Sequence, residues 1–154
     1  MLETLPPTTL RVATPLLSLL IAVGCGPGSV PEYDAFSCVD SQTLCVTLEV
    51  PANYAGTPRE LATALYETSD TNGPPNEALP AIEYPSILAG EPYELSHDQV
   101  DLEGDYYLLF VLYDEEGGIW VPEPGVDFTA MTSEPVALDG TPIDLGAMRL
   151  RPAN

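Results

Sequence analysis

Lysine is missing from this chain. Four arginines stand against 24 aspartates and glutamates, and the formal net charge is −20 at pH 7. Such a surface repels phosphate backbones and anionic headgroups, so nucleic-acid binding is not expected. Cations, basic proteins and neutral glycans remain as partner classes, and the acid also serves to keep an exported protein soluble. Histidine is nearly missing too. His97 is alone, and no serine sits in a nucleophile-elbow motif, so no hydroxyl–imidazole catalytic set can be assembled. His97 is expected in an exposed loop beside Asp98, and the chain is not expected to be an enzyme. No apolar run reaches the roughly 20 residues that a membrane-spanning helix needs. Seventeen prolines and twelve glycines argue against long helices. A hydrophobic fraction of 45% argues equally against low-complexity disorder.

What is present first is a leader. Residues 1–24 have the length of a secretory signal peptide, with Leu16 to Val23 as its apolar centre and Gly24, Gly26 and Pro27 closing it. Its end, Ala22-Val23-Gly24-Cys25, resembles the lipobox of bacterial lipoproteins. The resemblance implies cleavage before Cys25 and lipidation of Cys25, which becomes the modified N-terminus. Each buried methylene adds about 0.8 kcal/mol, so two or three acyl chains would make attachment effectively permanent. Gly26 stands where an Asp would signal inner-membrane retention, so the outer membrane is favoured if the cell has one. The implied protein is an exported, membrane-anchored component of the cell envelope.

With Cys25 lipidated, Cys38 and Cys45 remain as an even pair in an oxidising compartment, and a disulfide between them is expected. The alternative, a metal pair, lacks further ligands. Residues 25–37 are rich in turn formers and read as a flexible tether. Residues 38–154 are long enough for one domain with its own core.

That domain reads as all-β. Thr43 to Val50 alternates strictly, with Leu44, Val46, Leu48 and Val50 on one face. Glu60 to Thr68 is a second strand, with Leu61 and Leu65 opposed to Ala62, Ala64 and Tyr66. Ser69 to Pro80 is expected to be a polar loop. Ile82 to Leu88 is expected as an edge strand because of Pro85. Tyr93 to Leu95 and Val100 to Leu102 make short pieces. Tyr106 to Tyr113 is unbroken apolar or aromatic and must be covered on both faces, so it should be central. Gly117-Gly118 should reverse the chain into Ile119 to Val121. Asp139-Gly140 predicts a hairpin between Glu134–Leu138 and Thr141–Leu150. In the latter, Ile143 and Leu145 are out of phase with Met148 and Leu150, which predicts a bulge at Gly146.

About seven such strands suggest a β-sandwich of Ig-like or prealbumin-like type. Gly56-Thr57-Pro58 and Gly104-Asp105-Tyr106, each leading into a strand, resemble transthyretin-like and carboxypeptidase-regulatory-like modules. That resemblance implies a binding or spacer role, and the protein or glycan partner is not legible. Two other readings stand beside it. Asp114-Glu115-Glu116-Gly117-Gly118 with Glu123 and Asp127 resembles a degenerate calcium loop, whose metal ligands would be Asp114, Glu116, Glu123 and Asp127; this would make a calcium-dependent adhesion or stability module. The same residues also suit a solvated acidic hairpin. The third reading is a small carbohydrate-active enzyme using paired carboxylates.

Overall fold

The computed structural model describes residue 38 and residues 43–98, 102–114 and 121–154. Among them there is no helix; strands form two sheets packed face to face, the layering of a β-sandwich. In chain order the strands are β1 (Thr43–Glu49), β2 (Glu60–Tyr66), β3 (Glu77–Glu83), β4 (Pro92–Asp98), β5 (Gly104–Tyr113), β6 (Phe128–Met131), β7 (Val136–Leu138), β8 (Ile143–Arg149) and β9 (Arg151–Pro152). The leader, Cys25, the tether, Glu116, Val100 and the Gly117-Gly118 reversal lie outside the described residues.

The smaller sheet has the order β4-β1-β8, and the larger runs β3-β2-β5-β6-β9 with β7 also paired to β5. Alternation in β1 turns Leu44, Val46 and Leu48 towards the space between the sheets, and all three are buried there. Its partners differ in direction: β4 is antiparallel and β8 is parallel. Thus β1 is the middle strand, and a parallel neighbour requires a connection that leaves the sheet and returns.

The run in β5 behaves as its composition requires. Leu108, Phe110 and Leu112 enter the main core between the sheets. Leu109, Val111 and Tyr113 join Ala62, Ala64 and Tyr66 of β2 in a second buried cluster on the other face. Strand β2 pairs β5 along its whole length. On the other flank β7 takes the first residues of β5 and β6 the last, both antiparallel. From Met131 to Val136 the chain uses five steps against three of β5, so Thr132 to Pro135 bulge outward. Thr132 repairs the gap: its Oγ1 accepts the Leu108 N–H at 3.1 Å, and its own N–H donates to Leu108 O at 3.0 Å.

Three expectations need correction. The edge strand is not Ile82–Leu88 but β3, which begins inside the segment expected to be a polar loop. Pro80 is tolerated because β3 has only β2 as neighbour and because the register slips between Leu79 and Ile82, leaving Pro80 in a bulge that needs no ladder donor. Tyr84, at φ 50°, and Pro85 then end the strand. Next, Leu102 belongs to no strand, and the fourth strand runs on to Asp98.

The third correction concerns Asp139-Gly140. The turn is there: Asp139 Oδ1 accepts the Thr141 N–H at 3.0 Å and the Thr141 hydroxyl at 2.6 Å, and Gly140 has φ 80°. It joins no hairpin, however. Strand β7 pairs β5 in one sheet and β8 pairs β1 in the other, so the turn carries the chain between layers. Local turn chemistry sets a reversal, but packing of the apolar faces chooses the partner.

The bulge expected at Gly146 is present. Cys45 pairs Asp144 and Thr47 pairs Ala147, which leaves one extra residue on β8. Gly146 has φ 66°, a conformation that favours glycine. Asp144 Oδ1 accepts its N–H at 2.8 Å. The extra residue restores phase, so Ile143, Leu145 and Met148 all pack on the core that Leu150 completes.

Candidate functional site

The C-terminal strands create a groove. After Arg149 the chain leaves the small sheet, buries Leu150 completely, and enters the large sheet at Arg151. The Leu150 N–H donates to Glu49 O at 3.0 Å, and Ala153 N–H to Asp127 O at 2.8 Å, which fixes the crossing at both ends. With Leu150 inward, Arg149 and Arg151 are exposed on either side of it. A groove of about 710 Å³ opens beside them between the two sheet edges. Thr129, Met131, Thr132 and Val136 line one wall, and Leu145 and Met148 the other.

These are two of the four arginines in the chain. Among the described residues, neither has a hydrogen-bond or ion-pair partner. Glu134 lines the same groove and Glu49 is the register partner of Arg149, yet neither closes an ion pair. Arg59, by contrast, lies over the Tyr84 ring, 5.8 Å from its centre. Arg149 and Arg151 belong to no motif in the sequence. The available signal was two bases with one apolar residue between them, at the end of a strand, in a chain without lysine.

The acidic loop is organised differently. Asp127 is buried, and its carboxylate accepts the N–H of Glu123 at 2.6 Å through Oδ2 and that of Asp114 at 3.3 Å through Oδ1. Asp114 Oδ1 accepts the Tyr54 hydroxyl at 2.5 Å, and the Tyr54 ring meets Phe128 edge-on at 5.2 Å. Gly56 lies against the Asp114 carboxylate, where any Cβ would collide with it. So Asp114 and Asp127 are neighbours, and their oxygens tie the end of β5 to Tyr54 and to the segment that leads into β6. Glu123 contributes its backbone and its side chain is exposed, while Glu116 lies outside the described residues. Among the described residues no group of three or more His, Cys, Asp or Glu side chains converges on a point that would hold a metal ion. Burial, then the Asp114 hydrogen bond, raises the Tyr54 phenol well above its ordinary value. Burial, with Asp127 and Glu60 nearby, pushes Tyr113 up to about 12.

His97 is not an exposed loop residue. It belongs to β4 and is buried, and its Nε2 lies 3.0 Å from the hydroxyl of Thr63, which is wholly buried on β2. The pair bridges the two sheets. Alternation from Leu95 puts His97 on the inner face, and a facing hydroxyl satisfies it. Burial lowers its pKa, and the charge of Asp98 opposes this only in part. A histidine with a depressed folded pKa binds its proton more readily when unfolded, so protonation favours unfolding. Its stability contribution is complete above the unfolded value near 6.5 and is lost as the pH falls below that value. The melting temperature is therefore expected to drop between pH 7 and pH 5, above the carboxylate range. In His97→Gln the curve should be flat over that window; a slope equal to wild type would show that His97 is not its source.

Cys38 and Cys45 are joined as a disulfide, with their Cα atoms 5.8 Å apart. Cys45 is buried on β1, and Cys38 Sγ rests 3.2 Å from Ile143 O; bonded sulfur has no proton to donate, so this is a packing contact. The bridge thus sits where β1 and β8 begin, and the arginines sit where they end. Compared with protein-family models, curated proteins and solved structures, the chain matches none of them.

Proposed function

We propose that this chain is a lipid-anchored, non-enzymatic component of the cell envelope, a β-sandwich of Ig-like or prealbumin-like type that acts as a binding module. The lipobox-like Ala22-Val23-Gly24-Cys25 supports the anchor, and the net charge supports an exported, soluble domain. The observation that carries the binding role is the groove with its two uncompensated arginines. Cys38, where the tether would enter, contacts Thr43 O at the start of β1. Six residues further on, Glu49 pairs with Arg149. At the ordinary strand rise that is about 20 Å, so within the domain the groove lies at the end of β1 opposite to the one Cys38 touches.

Expression in a bacterial host tests the anchor. Mass spectrometry of the membrane fraction should find Cys25 as the acylated N-terminus, with residues 1–24 removed. Cys25→Ser should move the protein out of that fraction. Wild-type protein that remains unacylated with its leader attached would overturn the reading.

A further inference from the structure

We propose that the groove is a site for a single phosphate group carried on an otherwise uncharged ligand, held between Arg149 and Arg151. The inference rests on the reading of the domain as a binding module and names the ligand chemistry of that same groove.

The argument begins from charge. In a chain with 24 acidic residues, an exposed arginine ordinarily finds a carboxylate nearby. Two arginines line one groove, and the nearby carboxylates of Glu49 and Glu134 close no ion pair with either of them among the described residues. Leu150 is wholly buried and its N–H donates to Glu49 O, which pins the backbone between Arg149 and Arg151, and both arginines line the groove. Two planar forks at that spacing exceed what one carboxylate needs, since a single guanidinium satisfies both of its oxygens. A phosphate offers three peripheral oxygens and accepts from both forks. Hydroxyls complete the donor set. Thr129 is the register partner of Arg151, and Thr132, whose oxygen already accepts the Leu108 N–H, keeps its own proton free to donate. Both line the groove.

Charge also limits the rest of the ligand. A chain of net charge −20 repels a polyanion at every added charge, and the repulsion reaches over about 10 Å at 0.1 M salt. One phosphate fits that restriction, and a nucleic acid or polyphosphate does not. Met131, Val136, Leu145 and Met148 leave an apolar wall for a neutral or weakly apolar remainder. Addition of a peptide strand to the open edge of β8 is disfavoured, because the Gly146 bulge breaks that edge and Asp144 already accepts the Gly146 N–H.

Two sources carry this chemistry: a small phosphate ester and the headgroup of a phospholipid. Calorimetry on the full chain in detergent would use inorganic phosphate and glycerol 3-phosphate, against sodium chloride at matched ionic strength. A second arm would measure sedimentation with phosphatidylcholine vesicles that hold a few mole per cent of phosphatidylglycerol, too dilute to make a polyanionic surface, against vesicles of phosphatidylcholine alone. Saturable phosphate binding that chloride does not reproduce is expected. Arg149→Gln and Arg151→Gln should each weaken it at least tenfold, and the double variant should abolish it. Arg149→Lys should weaken it too, because it keeps the charge and loses the fork. Arg59→Gln, away from the groove, should bind as wild type. These positions are exposed, so an unchanged melting temperature will show that the variants fold. Binding of the soluble ester assigns the free ligand, and binding confined to the vesicles that hold phosphatidylglycerol assigns the headgroup. No phosphate-specific signal in either arm, or equal loss in Arg59→Gln, would overturn the proposal. Cys25→Ser should bind phosphate as wild type does, so a failed anchor and a failed phosphate site give different results.

Discussion

Phe110→Ala should remove about 3–5 kcal/mol of stability, a large share of the roughly 5–15 kcal/mol that a domain of this kind possesses. Phe110 is wholly buried on β5, a strand with neighbours on both sides. It stands in register between Thr63 of β2 and Ala130 of β6, both smaller than the ring. Those neighbours belong to paired strands and cannot move in to fill the space, so the cavity term adds to the lost transfer energy. The urea midpoint should fall by on the order of 2 M at an ordinary dependence on denaturant. Leu109→Ala, on the opposite face of the same strand, is the comparison, since it tests the second cluster without opening the main core. A loss under about 1 kcal/mol for Phe110→Ala would mean that the two sheets do not pack through this strand.

Opening the Cys38–Cys45 bridge should cost about 2–3 kcal/mol on the chain-entropy account, which for so short a loop lies near its lower end. For a domain of this size that is on the order of 10 °C in melting temperature. Reduction of the wild type and the pair Cys38→Ser with Cys45→Ala should agree. Alanine is used at Cys45 because a serine hydroxyl buried there would be unpaired and would add its own penalty. Thiol counting under non-reducing denaturation checks the bond directly. Acylated protein should show no free thiol, and unprocessed protein should show one, from Cys25. Two thiols in the acylated form, or three in the unprocessed form, would show that the bridge does not form.

What was legible in the sequence is what depends on one strand alone. The alternation of Thr43 to Val50, the two faces of β2 and the double burial of β5 are properties of side-chain period, and the structure has each. The phase break at Gly146 was legible for the same reason. What was not legible depends on a choice between strands. Asp139-Gly140 carries every local mark of a hairpin, and nothing near it says that β8 will lie parallel to β1. Pro85 suggested an edge, but only the bulge around Pro80 shows which segment occupies it. His97 looked exposed between charged residues, because the hydroxyl that satisfies it comes from Thr63, far away in sequence. Arg149 and Arg151 carry no local mark of a site, because the groove they line is assembled from strands far apart in sequence.

The central place of β1 in its sheet has a mechanical consequence. Any pull on the chain ahead of Cys38 passes through the disulfide to Cys45 and so enters the domain on β1 itself. The bridge leaves no slack between those residues to be drawn out first. Strand β1 is flanked on both sides, and its ladder bonds to β4 lie across the strand axis, so a load along the axis strains many of them together. An edge strand can be peeled one bond at a time, whereas β1 can slide only by shearing its ladders to β4 and β8 at once. If the groove at the far end of β8 holds a ligand while the chain is pulled at Cys38, tension runs along these strands in the direction in which they yield least.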